Sequence, residues 1–458
     1  MTRADGTQSH FDISDLAYCA SSDRRFSGLG RTDDKADAAL RGDEHVLAEL
    51  ASNLIRVECD NLVERPWGGD WLKRFKKIPH DLASGSLPWG ESFEISAFDT
   101  DGEAGRFPSN IRFDDGSRVD LPRLLKAQGD ALLGGAFVGR YGSCFPLLPK
   151  TLDIKELLSV QGHPVGHTEA YVIIDAEPGA TIRLGFNRDI DAAELIDELN
   201  HGIRQQARLL ENLGSDADVS SVQQIVARWF ATRDADAESL SSRLDQAFPR
   251  RTAGAAESIL TELKRLYWHV LDSMNAIEVR PGQIIYNATP KRLLAGSGQA
   301  ACAEVHALGN PEGLEILMLE IRRPGPTFRA WDNVRFPKRE VDIAVAINAL
   351  NLRATQPEEF VCERCPVPGR DGVFVSVDCE HFRLEHLMPD SVCPIDVPAS
   401  GPHSLHCLSG PVEVTSISGR AMGCLERGES ALVPVGVGAY RVIAQTHADV
   451  VRVTLAQD

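Results

Sequence analysis

The chain has 458 residues, too many for one ordinary domain, so two or three are expected. With 43% hydrophobic and 25% charged residues it has the balance of a soluble globular protein, and it contains no apolar run long enough to span a membrane. A formal net charge of −18 argues against nucleic acid as a partner, but not against a small phosphorylated ligand held by a few local cations.

The opening MTRADGTQSHFDISD lacks the apolar core of a secretory signal, so a cytoplasmic protein is expected. The ten cysteines are scattered and read as free thiols; Cys362 and Cys365 form one C-x-x-C pair, with no second pair at zinc-ribbon spacing. Residues 1–56 read as an extension, rich in Asp, Arg, Ser and Gly, that ends in a helix over Asp37 to Ile55. Residues 57–188 carry short apolar runs between Gly, Pro and Asp turns, the pattern of a sandwich or barrel. Residues 189–275 switch to apolar spacings of three and four and predict a helical insertion. Strands resume over 276–352, which completes the first β unit and includes a helix near Val341–Leu350. A second β unit fills 353–458. Turn-then-strand phrases such as Arg280-Pro-Gly-Gln-Ile-Ile-Tyr286 point to small jelly-roll barrels, with Gly where a tight turn needs positive φ. His403 and His406 lie near a Ser/Gly/Pro loop and read as surface histidines, which leaves the second unit a structural or lid role.

The richest stretch is Gln161-Gly-His163-Pro-Val-Gly-His167-Thr-Glu169, which follows the apolar run Leu157 to Val160. In a strand, Gln161, His163, His167 and Glu169 share one parity and one face, provided the Pro164–Gly166 turn keeps register. Imidazole, carboxylate and amide oxygen together suit Zn²⁺ or a similar divalent ion.

Eight short blocks recur in order. They are Pro66-Trp-Gly-Gly-Asp-Trp-Leu72, Gly90-Glu-Ser-Phe-Glu-Ile-Ser96, Phe145-Pro-Leu-Leu-Pro-Lys-Thr-Leu-Asp153, Leu158-Ser-Val-Gln-Gly-His-Pro164, His167-Thr-Glu-Ala-Tyr-Val-Ile173, Val305-His-Ala-Leu-Gly309, Leu317-Met-Leu-Glu-Ile321 and Thr327-Phe-Arg-Ala-Trp-Asp332. Together they resemble type I mannose-6-phosphate isomerases of the cupin superfamily, over roughly residues 60–345. The resemblance implies two cupin-type jelly-roll β-barrels plus an α-helical domain, a mainly β fold with a helical insertion. It also implies one metal ion per chain, usually zinc, on Gln161, His163, Glu169 and a second histidine. A strict register counted from Gly282 puts that histidine at Leu293; the phrase His306-Ala-Leu-Gly309 favours His306 after an insertion around Lys291–Ala303, with His167 as the other candidate.

By the same resemblance Lys150 and Ser159 line a sugar-phosphate pocket, Glu320 faces the site, and Arg329 stands near the reacting end of the substrate. The implied reaction interconverts mannose 6-phosphate and fructose 6-phosphate through an enediol, with Glu320 or His167 moving the proton. The implied partner is a small sugar phosphate, and the assembly a monomer or small homo-oligomer. Three departures lie near the pocket: His167 replaces the family's usual lysine, the loop between Pro164 and Gly166 is short, and Ile321-Arg-Arg-Pro-Gly-Pro326 replaces a polar segment. Of Arg322 and Arg323, strand alternation turns at most one inward. The departures keep two alternatives open: a metal-dependent cupin enzyme on another sugar or sugar acid, and a non-catalytic sugar-binding or regulatory homologue.

Overall fold

The computed structural model describes residues 34–79, 85, 87–97, 107–213, 219–233, 242–246, 254–333, 335 and 339–456. The first 33 residues of the expected N-terminal extension lie outside the described residues. Its predicted helix is split in two, Lys35–Arg41 and Glu44–Ser52. Gly42 ends the first with φ 83°, and Asp43 caps the second by accepting from the amides of His45 and Val46.

The rest of the described chain is layered. A five-stranded sheet and a seven-stranded sheet share one apolar core, which Ile182, Leu184 and Leu308 enter from the first and Leu152, Ile173 and Met318 from the second. A second seven-stranded sheet and a four-stranded sheet share another core, with Leu405, Val433 and Val450 against Val414, Tyr440 and Val442. The two seven-stranded sheets then pack back to back: Val172, Leu319 and Ile321 meet Leu384, Leu432 and Val453. The helices Ala192–Leu213 and Ala255–Asp272 cover the outer face of the five-stranded sheet, packing Leu199, Leu263 and Leu271 near Phe186 and Trp331.

All described strand pairings are antiparallel, and no sheet closes on itself, so the expected barrels are open two-layer sandwiches. Strand slightly exceeds helix among the described residues, so the fold is mostly sheet, with helices over Ala192–Leu213, Val219–Ala231 and Ala255–Asp272 between its strands. Two short strands cross the expected boundaries: Ile55–Arg56 pairs with Ser430–Val433 of the C-terminal sandwich, and Val361–Cys362 pairs with Ile284–Asn287 of the first. This exchange of edges, with the back-to-back sheets, fastens one sandwich to the other.

A buried ion pair adds to that junction. Lys76, from the first sandwich, reaches Glu94 at 2.5 Å and donates to the carbonyl of Gly428 at 2.6 Å, while Ser430 donates to Glu94 at 2.8 Å. Burial alone would raise the Glu94 carboxyl, yet Lys76 and the hydroxyl of Thr151 hold it below the usual range.

His403 and His406 are not the surface histidines expected from their flanking loop. Both lie on the strand His403–Ser409, which runs between Ser430–Val433 and Asp449–Leu455 in a sheet covered on both faces, so both imidazoles are buried. His403 Nε2 lies 2.8 Å from the Tyr440 hydroxyl, and His406 Nδ1 lies 2.9 Å from Ser430 Oγ. The C-x-x-C pair is likewise divided, Cys362 on a strand of the first sandwich and Cys365 on a strand of the second.

Candidate active site

The block Pro66-Trp-Gly-Gly-Asp-Trp-Leu72 builds one wall. A Cβ on Gly69 would lie 2.4 Å from both Asp153 Oδ1 and Glu315 Oε1, so only glycine fits there. The two carboxyls accept the opening amides of the helix Trp71–Phe75: Glu315 from Asp70 and Trp71, and Asp153 from Leu72 at 2.6 Å. Trp67 is thereby fixed in the pocket lining.

The cluster at the pocket floor joins the two sheets of the first sandwich. Val160–Gly162 belongs to the five-stranded sheet, and there Gln161 is paired with His306 on one side and Arg329 on the other. Glu169 opens the strand Glu169–Ala176 of the seven-stranded sheet, paired with Asn287 and Arg322. The segment Gln161–Glu169 therefore passes from one sheet to the other, and the single-strand parity argument does not hold. His163 and Glu169 meet because the Pro164–Gly166 turn carries the chain across the sandwich.

His163 Nε2 lies 2.7 Å from Glu169 Oε1, and both side chains are buried. His306 Nε2 lies 3.5 Å from Glu169 Oε2 and 3.1 Å from Gln161 Nε2. The Gln161 carbonyl oxygen accepts from the Ser159 hydroxyl at 2.7 Å. Among the described residues His163, Glu169 and His306 form the group able to share a metal, their donor atoms within 4.8 Å of one another.

The surroundings prepare these atoms for a cation. His163 Nδ1 lies 3.1 Å from the carbonyl of Pro326, and His306 Nδ1 lies 2.9 Å from that of Glu304. With a cation bound, protons on both Nδ1 atoms would satisfy those carbonyls and leave both Nε2 lone pairs free for it beside Glu169. Burial pushes His306 down to about 4, so it is neutral, as a ligand must be. The Tyr171 hydroxyl and the Asn287 amide donate to Glu169 Oε2 and leave Oε1 facing His163. Burial opposes ionisation of Glu169, but His163 and His306 outweigh it and hold the carboxyl well below its usual value.

The pocket above the cluster is lined by Lys150, Ser159, Gln161, His163, Glu320 and Arg329, six of the nine residues singled out from sequence. Glu169 and His306 lie behind its wall, 1% exposed. His167 stands apart: its Nε2 is 3.2 Å from the carbonyl of Pro324, and a Cβ on Gly325 would come within 2.8 Å of it. Burial and the Arg323 charge push it down to about 4.

Sequence reasoning gave no role to Arg65, Glu91 or Arg339, which also line the pocket. Glu91 accepts from Arg65 at 2.8 Å; despite burial, Lys150 and Arg65 hold it down to about 2. Arg339 is clamped by Asp332 at 2.6 Å. Of the arginine pair, Arg322 turns inward, 4% exposed, while Arg323 donates to the carbonyl of Gly166. Burial pushes the Glu320 carboxyl up to about 8; Lys150 opposes that rise and Glu169 adds to it. Glu91 and Arg65 belong to or adjoin blocks already quoted, and that adjacency is the signal that could have found them.

No protein-family model matches the chain, and no curated protein matches it in sequence. Solved structures do match in three dimensions. Mannose 6-phosphate isomerase from Bacillus subtilis is 16% identical with a TM-score of 0.55, over 88% of this chain and 100% of that one. A variant of phosphomannose isomerase from Salmonella typhimurium is 15% identical at 0.55, over 88% and 99%. A mannose 6-phosphate isomerase bound with zinc and yttrium is 14% identical at 0.54, again over 88% and 99%. At such identities the likeness establishes the fold.

Proposed function

Proceeding from a chain with the phosphomannose isomerase fold, we propose that it is a metal-dependent aldose–ketose isomerase acting on mannose 6-phosphate and fructose 6-phosphate. The observation that carries this reading is the buried His163–Glu169 pair, Nε2 and Oε1 2.7 Å apart, which with His306 brings three donor atoms within 4.8 Å of one another at the floor of a cationic pocket. Such a pair is costly to bury and becomes favourable when both atoms bind a cation. Gln161, His163, Glu169 and His306 are the proposed ligands, and their donor set suits Zn²⁺ in a cupin-type sandwich. Gln161 joins that set with its amide turned over, so that its oxygen faces His306 and its nitrogen donates to Ser159. When bound, the metal supplies Lewis-acid stabilisation of the oxygens at C1 and C2.

The chain's own groups do the rest. Lys150, a buried cation beside Ser159 in the lining, holds the phosphate by charge-assisted hydrogen bonds. Arg329, directly across from Gln161, adds positive charge where negative charge develops on the sugar oxygens. In its ionised form, which a nearby bound metal would favour, Glu320 takes the proton from C2 of the aldose and delivers it to C1, while the O2 hydroxyl proton passes to O1, giving the ketose through the enediol. Of the two candidate bases, Glu320 lines the pocket while His167 packs against Pro324, so the proton transfer is assigned to Glu320.

The test is interconversion of the two sugar phosphates by protein stripped with a chelator and reloaded with Zn²⁺. We expect activity to vanish with the metal and return with it. Reloaded protein that leaves both sugars unchanged would contradict the reading.

A further inference from the structure

The chain changes sheets twice at the metal end of the first sandwich, and the two crossings run side by side. Val160–Gly162 of the five-stranded sheet leads through residues 163–168 into Glu169–Ala176 of the seven-stranded sheet. In the opposite direction, Ile316–Arg322 leads through residues 323–327 into Phe328–Trp331. The strands they join are paired at both ends, Gly162 with Phe328 and Glu169 with Arg322. The crossings therefore set how far apart the sheets stand where His163 and Glu169 meet.

Two histidines clasp one crossing to the other. His163 Nδ1 lies 3.1 Å from the carbonyl of Pro326, and His167 Nε2 lies 3.2 Å from that of Pro324. A carbonyl only accepts, so the His167 nitrogen that faces it carries the proton. The other nitrogen of that ring is buried with no hydrogen-bond partner among the described residues, which makes Pro324 the ring's one anchor there. A Cβ on Gly325 would come within 2.8 Å of His167 Nε2, and Gly325 is not at positive φ, so the close approach of the ring is what excludes a side chain.

The two crossings differ in stiffness. Pro324 and Pro326 fix their own φ and restrict Arg323 and Gly325 before them, so their carbonyls are held in place. The other crossing turns at Gly166, φ 83°, with Val165 63% exposed at its tip, and leads from His163 to Glu169. On one side of that tip Pro326 aims the His163 ring. On the other, His167 ties the stretch next to Glu169 to the stiffer crossing. Backbone bonds from Gly166 to Ala301 and from Ala303 to His167 keep that stretch folded even without the ring.

We propose that His167 is a positioning residue, neither ligand nor base: its bond to Pro324 locks the two crossings together and holds His163 and Glu169 at the separation the metal needs. This rests on the metal centre proposed above and not on the identity of the sugar.

The test is the Zn²⁺ affinity of the full chain, measured by competition with a chromogenic chelator beside the interconversion assay and a thermal melt. His167→Ala should weaken binding about tenfold, the lower end of the usual effect of a residue that orients a ligand. His167→Gln, whose amide nitrogen can reach Pro324, should recover most of that loss. Gly325→Ala should weaken binding similarly by displacing the ring, and should add nothing in a His167→Ala background, because both changes break one contact. A lower melting temperature with affinity intact overturns the proposal, as do a failure of His167→Gln to rescue and additive losses from the two changes. Loss of the ion altogether in His167→Ala would mark a ligand and overturn it too. Affinity that depends on His167 in a protein that interconverts no sugar phosphate would keep this inference and refute the isomerase reading. An active enzyme whose Zn²⁺ affinity ignores His167 would do the reverse, and a wild type without Zn²⁺ affinity would refute both.

Discussion

Both sandwiches bury histidines, and the pair His163 and His306 of the first is buried differently from the pair His403 and His406 of the other. In the C-terminal sandwich His403 meets the Tyr440 hydroxyl, and His406 meets the hydroxyls of Ser404 and Ser430. Neither lines the pocket at the first sandwich. In the first sandwich the Nδ1 atoms of His163 and His306 face carbonyls, and their Nε2 atoms converge on a carboxylate that donates nothing. Burial alone therefore does not mark a metal site. What separates the two pairs is what their ring nitrogens face: hydroxyls in one sandwich, and backbone carbonyls and a carboxylate beside a cationic pocket in the other.

Breaking the catalytic side should have the largest effect. Arg329→Ala should lower kcat/KM by about 10²–10³-fold, the usual cost of removing one group aimed at developing charge, with the melting temperature nearly unchanged. Steady-state kinetics beside a thermal melt checks this, and a loss confined to KM would move Arg329 to ground-state binding.

Next comes the junction between the sandwiches. Lys76→Met strands the buried Glu94 carboxylate and should cost about 3–5 kcal/mol in urea unfolding. The same variant should make stability less sensitive to acid near the carboxylate range. Glu94 is held below its unfolded value, so its contribution is present above that value and is lost as pH falls through the folded one.

The C-terminal histidines should answer to pH more gently. Burial pushes His403 down to about 3 and His406 down to about 4. Between the ordinary imidazole value of about 6.5 and those folded values, the unfolded chain takes up protons that the folded chain refuses. The melting temperature should therefore fall as pH is lowered from 6.5 toward 4, and a His403→Gln, His406→Gln double variant should flatten that slope. The smallest effect is expected from Tyr440→Phe, which removes the hydrogen bond to His403 at a cost of about 1–2 kcal/mol. Metal content should survive that change.

Much of the fold was legible because its signals are local. Gly282 turns the chain at φ 83° into the strand Ile284–Asn287, as its phrase predicts, and the helical insertion announced itself by spacing. The helix near residue 345 came out at Ile343–Ala349. The site residues stood in short blocks whose order carried the likeness. What stayed hidden depends on partners far away in sequence. Nothing near Ile55 or Val361 says that each pairs with the opposite sandwich, and nothing near His403 says that its strand will be covered on both faces. Parity misread the Gln161–Glu169 segment because the short turn changes sheets. Arg65 and Arg339 come from two separate segments and share a purpose only once the pocket has formed.

The central claim is that Gln161, His163, Glu169 and His306 hold a metal while the equally buried histidines of the other sandwich do not. Elemental analysis by mass spectrometry of purified wild type, Glu169→Ala and His403→Gln tests it directly. The account predicts one divalent ion per chain in wild type and in His403→Gln, and none in Glu169→Ala. A metal-free wild type, or a full complement in Glu169→Ala, would contradict it.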